Sequence, residues 1–184
     1  MKAVMYGAGN IGRGFIGQLL SQSGYHVDFI DVAPAVIEQL NTQNQYPVRI
    51  LYKDTYEETM VTNVACIDGK DPDAIATAIA EADVMATAIG VNVLKFIIVN
   101  IAAGLKKRWE NPDKAPLNII ICENLIGADS YLKGEIAKLM NEEEKKLLDN
   151  HKNMIDRLDS MKTEQNKMIR DYGYMYNSYI KGDS

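Results

Sequence analysis

Short apolar runs alternate with longer stretches of helical spacing along most of the chain. Residues 2–6 (KAVMY) have the pattern of a buried strand that runs straight into glycines, and 11–24 (IGRGFIGQLLSQSG) carry helical spacing closed by Gly24. YHVDFID over 25–31 alternates apolar and polar positions as a strand does, and it ends on Asp31. Pro34 suits the first turn of a second helix over 33–43, because its fixed φ and missing N–H are tolerated there. Two β-rich runs, 46–52 and 59–67, flank the polar KDTYEE and predict a hairpin or meander. Asp71 and Pro72 form a cap and first position for a third helix through 82, and DVMATAIG predicts a strand closed by Gly90. Residues 91–109 continue as a long helix whose Lys106, Lys107 and Arg108 complement its carbonyl end. LNIIIC over 117–122 is a nearly continuous apolar run, the pattern of a parallel strand covered on both faces.

This rhythm predicts an α/β fold, a doubly wound and mainly parallel sheet of the Rossmann type with a C-terminal helical tail. Beyond Asn124 the spacing is helical over 128–140, and Asn141 with Glu144 makes a capping pair for a further helix. From Leu147 through His151, Met154, Leu158 and on to Tyr179 the positions alternate spacings of four and three, which is heptad spacing. Such a seam either packs back on the domain or self-associates, so a homodimer or a partner chain through residues 147–179 is expected.

Five glycines fall within 7–17, and Gly7-Ala8-Gly9-Asn10-Ile11-Gly12 has G-x-G-x-x-G spacing. Gly7 would make the tight turn out of the strand, Gly9 would let backbone approach a pyrophosphate, and Gly12 would let helix and sheet pack closely. The helix N-terminus offers N–H groups to the anion. Asp31 follows Gly12 by 19 positions at the end of the next strand, the place of a residue that accepts from adenosine ribose hydroxyls. Its charge would repel the extra phosphate of NADP, so NAD is the expected cofactor. The alternative is that the glycines only pack a helix on a sheet and Asp31 caps a turn. Arg13 opposes the helix dipole, which leaves a phosphate contact or a solvated side chain as its two readings. The expected domains are an NAD-binding Rossmann domain over 1–140 and a helical extension over 141–184.

Composition narrows the partners. Twenty Lys and Arg against 25 Asp and Glu give a net charge of −5 over 184 residues, with no basic block to neutralise a nucleic-acid backbone. Cys66 and Cys122 each sit in an apolar run and read as reduced core residues, and no metal site is expected. No run has signal-peptide form or reaches the ~20 apolar residues of a membrane span, so the expected location is cytoplasmic, away from the membrane.

GAGNIGRGFIG, Asp31 after FI, TAIG before residue 91 and LNIIICENLIGADSYLKG together resemble the NAD-binding half of the mannitol-1-phosphate 5-dehydrogenase family of polyol-specific long-chain dehydrogenases. The likeness runs from residue 1 to about 150. It implies NAD(H) binding and hydride transfer between C5 of mannitol 1-phosphate and fructose 6-phosphate, a sugar phosphate substrate. Gly7, Ala8, Gly9, Asn10, Ile11, Gly12, Arg13 and Asp31 match the cofactor loop, and Thr87, Ala88 and Gly90 the segment on the nicotinamide side. Glu123 and Asn124 match the acidic residue and asparagine after the last strand, where the family's asparagine polarises the substrate oxygen; an ordinary turn residue is the other reading of Asn124.

The family's catalytic lysine belongs to a K-x-x-x-x-N-x-x-H motif in a second, helical domain. Here Lys145, Asn150 and His151 have different spacing, His26 reads as a surface residue and Lys95 as solvated, so a catalytic base is expected to be absent. Three functions follow: a dehydrogenase of this type represented by its cofactor-binding half, a non-catalytic NAD(H)-binding or sensing module that oligomerises through its tail, or a degenerate fragment with no present activity.

Overall fold

A computed structural model describes residues 1–51, 55–123 and 125–150. The heptad positions from His151 to Tyr179 lie outside the described residues. The chain divides into two compact units, Met1–Lys145 and Lys146–Ser184; the architecture below is that of the first, and of the second only residues 146–150, the end of a helix, are described.

Strand β1 (Lys2–Tyr6) leads into helix α1, wound as a π-helix over Gly12–Gly17 and as an α-helix over Gln18–Gln22. Next come β2 (His26–Asp31), α2 (Pro34–Gln43), β3 (Gln45–Leu51), β4 (Tyr56–Thr62) and β5 (Val64–Asp68). The series continues with α3 (Pro72–Glu81), β6 (Val84–Thr87), α4 (Val91–Trp109), β7 (Asn118–Ile121), α5 (Ala128–Ala137) and α6 (Glu142–Asn150). Five strands pair in parallel in the order β5-β2-β1-β6-β7. The chain therefore builds outward from β1 on one side and then crosses to build on the other, which makes the C-terminal end of β1 the switch point where such sheets open a crevice. Val4, Met5, Val27, Phe29, Ile30 and Met85 are almost wholly inaccessible, each worth roughly 1.5–3 kcal/mol of burial.

Local signals set the boundaries. The Asp71 carboxylate accepts from Ala74 N at 2.9 Å, and Asn141 and Glu144 exchange side-chain-to-backbone bonds of 2.8 and 2.9 Å. At the end of α1, Tyr25 N reaches back to Leu20 O at 3.1 Å across Gly24.

The structure departs from the sequence reading in three places. The run 59–67 is two strands, because Asn63 takes a left-handed conformation (φ 60°) that Asn tolerates and breaks the extended chain. β4 pairs antiparallel with β3 as a separate hairpin, while β5 joins the main sheet. Among the described residues β7 is an edge strand with only β6 beside it, and Ile119, Ile120 and Ile121 are half-buried rather than covered on both faces. Arg108 does more than complement the carbonyl end of α4: it is 4% exposed, and its guanidinium donates to the carbonyls of Ala80, Ala82 and Ala115 on other segments. Among the described residues no helix is long and apolar enough to cross a membrane.

Candidate functional site

The glycines after β1 divide by what surrounds them. Gly7 sits at φ 103°, and a Cβ there would come within 2.5 Å of Ala88 O; one on Gly12 would run into Gly7 O. These two are required by the fold itself, since the turn packs against both the start of α1 and the backbone after β6. A Cβ on Gly9, by contrast, would meet nothing within 4 Å. Gly9 faces open space, where a bound group could approach the backbone closely.

Asp31 is tied to the same turn. One carboxylate oxygen accepts from Ala8 N at 2.9 Å, and the other accepts from Val32 N at 2.8 Å and Ala33 N at 3.0 Å. An ionised carboxylate offers about four acceptor positions, so capacity remains for a further donor. Ala8 is buried, whereas Asn10 and Ile11 are exposed beside Gly9. Arg13 is half-buried, and its Nε is inaccessible to solvent with no hydrogen-bond acceptor among the described residues.

The π-wound turn carrying Arg13 is held from the inserted hairpin. Tyr46 OH donates to Arg13 O at 2.8 Å, and the Tyr46 ring meets Phe29 edge-on at 5.9 Å. Gly17 makes room for this contact, because a Cβ there would lie 2.5 Å from Phe29 and 2.8 Å from Tyr46 OH. Sequence reasoning missed Tyr46. The available signal was the third glycine of the helix, one turn beyond the fingerprint.

On the opposite side of β1, Thr87 is 0% exposed, and its Oγ1 has no partner among the described residues. Ala88 N donates to Tyr6 O at 2.9 Å, and Gly90 turns the chain into α4 with φ 87°. Glu123, just past β7, accepts from Ile89 N at 2.9 Å with one oxygen and from Gly90 N at 2.8 Å with the other. Both of its oxygens are therefore engaged by backbone. Beside it, burial pushes the Cys122 thiol up to about 12.

Asn124 and His151 lie outside the described residues. Lys145 pairs with Glu142 at 2.6 Å, Lys95 is exposed with its ammonium 4.9 Å over the Phe96 ring, and His26 bridges Asn63 and Asp28. The structure thus gathers Gly7 to Arg13 with Asp31, places Ala88, Gly90 and Glu123 across the switch point, and leaves His26 and Lys95 in local contacts of their own.

A glycine turn between the first strand and helix, an acidic end on the second strand, and a reversal of strand order at that turn define a Rossmann-type domain. The chain belongs to the mannitol dehydrogenase Rossmann domain family, whose model matches residues 1–172. The mannitol-1-phosphate 5-dehydrogenase of Streptococcus mutans serotype c is 45% identical over 141 residues, 76% of this chain and 37% of that protein. The enzyme of the same name from Shouchella clausii is 48% identical over 145 residues, 78% of this chain and 38% of that protein. This chain thus spans 37–38% of the length of those relatives. Among solved structures, an octopine dehydrogenase in complex with NADH and agmatine superposes with a TM-score of 0.51 at 17% identity, covering 78% of this chain and 32% of that one, a likeness of fold.

Proposed function

We propose that the domain binds NAD(H) and serves as the cofactor-binding part of a dehydrogenase of the mannitol-1-phosphate 5-dehydrogenase type, acting between mannitol 1-phosphate and fructose 6-phosphate. The observation that carries the reading is the contrast among the glycines: Gly7 and Gly12 are closed by the fold, while Gly9 is open beside the helix N-terminus. Backbone N–H groups around Gly9 would hold the pyrophosphate, with Arg13 as a cationic contact. Asp31, with acceptor capacity to spare, would take the adenosine ribose hydroxyls and repel a 2′-phosphate, so NAD is favoured over NADP. When bound, the nicotinamide ring supplies the hydride acceptor or donor. The chain's own contribution is to bind and orient that group and to present the crevice beside residues 88–90 to a sugar phosphate.

Two measurements test this. Calorimetric titration with NADH is expected to show binding that Gly9→Val weakens by at least about tenfold while the fold survives, because the added atoms enter open space. Binding indifferent to that side chain would refute the assignment of the loop. Loss of NADH absorbance on mixing with fructose 6-phosphate reports turnover. Intact NADH binding without turnover would favour the second reading, an NAD(H)-binding or sensing module, for this chain alone.

A further inference from the structure

The Glu123 carboxylate bridges two strands' ends in a way that helix capping does not explain. Gly90, the residue before α4, has no side-chain cap, and its carbonyl already accepts from Val93 N and Leu94 N. Glu123 instead takes the N–H groups of Ile89 and Gly90, which precede the helix, one on each oxygen. The same backbone is held from the other side, since Ala88 N donates to Tyr6 O and Ala88 O occupies the space a Gly7 side chain would fill. Residues 88–90 are thus wedged between the glycine turn and a carboxylate supplied by the next strand.

We infer that Glu123 is a positioning residue for the half of the cofactor that crosses to the β6 side, an inference that rests on NAD(H) binding as proposed above. A dinucleotide lies across the point where strand order reverses, so with its adenosine at Asp31 its second nucleotide faces 88–90. Glu123 fixes where that backbone lies, and it does so through acceptor chemistry: a glutamine of the same shape has one acceptor oxygen, and its NH₂ would face an N–H donor.

The experiment compares NADH with ADP-ribose, which carries the adenosine, pyrophosphate and second ribose but no nicotinamide. In Glu123→Gln the affinity for ADP-ribose is expected to stay within about twofold of the parent while NADH weakens by about tenfold, the scale of one charge-assisted hydrogen bond. Glu123→Asp keeps the charge but is one methylene shorter, and its NADH affinity is expected to fall between the two. Retained ADP-ribose binding also reports that each variant is folded. Equal loss of both ligands would show a general structural role and overturn the inference, as would no loss of either. A parent chain that binds neither ligand would overturn the NAD(H) reading and this inference together, whereas a parent that binds both with no selective loss in Glu123→Gln would overturn this inference alone.

Discussion

Removing the Asp31 carboxylate is expected to cost stability before any ligand is present. Three backbone N–H groups depend on it: those of Ala8 and Ala33 are part-buried, and that of Val32 is exposed. In Asp31→Ala the Val32 group turns to water at little cost. The other two each lose a charge-assisted bond worth about 1.5–3 kcal/mol and recover part of it from water, giving a net loss of about 2–3 kcal/mol. That is a large share of the 5–15 kcal/mol that holds a typical domain together, roughly speaking. Urea unfolding of the ligand-free chain reads it directly, and Asp31→Asn, which keeps one oxygen acceptor, should lose about half as much. A change below about 0.5 kcal/mol, with NADH binding nonetheless abolished, would refute the reasoning by showing a carboxylate that meets only the ligand. The corollary concerns cofactor exchange. Asp31→Ser, the obvious change to admit NADP, also frees Ala8 N in the glycine turn.

Arg108→Leu should destabilise the chain by about 3 kcal/mol, seen as a lowered thermal midpoint, because the buried carbonyls of Ala80 and Ala82 lose donors at 2.8 and 2.7 Å. Arg108→Lys should recover only part, since an ammonium cannot reproduce the fork that also reaches Ala115 O. Burial pushes the Cys66 thiol from its ordinary 9.0 up to about 12. The unfolded chain therefore releases this proton first, and stability should fall as pH rises from about 9 toward about 12; urea midpoints near neutral pH and above about pH 10 should diverge less in Cys66→Ala than in the parent.

Much of the glycine-turn side could be read from pattern and spacing. The Asp71-Pro72 helix start and the Asn141–Glu144 exchange are set by neighbours three residues apart, and the G-x-G-x-x-G turn with Asp31 follows a motif of fixed spacing even though Asp31 meets Ala8 N across 23 positions, so spacing carries the information. Contacts between distant stretches were not legible. Nothing near Tyr46 in sequence signals that its hydroxyl meets Arg13 O, and nothing near Arg108 signals that three carbonyls converge on it. The resemblance marked Glu123 as a candidate, but its contact with two backbone N–H groups was not legible, because the pairing of β6 with β7 brings them beside it. Asn63 escaped for a different reason: a single left-handed residue inside a β-rich run leaves the apolar pattern unbroken.

The central place of β1, with β2 on one side and β6 on the other, also sets an order of manufacture. A ribosome adds about 5–20 residues per second, so the 92 residues separating Asp31 from Glu123 take roughly 5–18 s to emerge. During that interval the nascent chain can already close Asp31 onto Ala8 N, while the N–H groups of Ile89 and Gly90, once made, have only water to bond. The Asp31 side of the glycine turn can therefore close first, and the backbone at 89–90 gains its carboxylate partner only after β7, the last strand among the described residues.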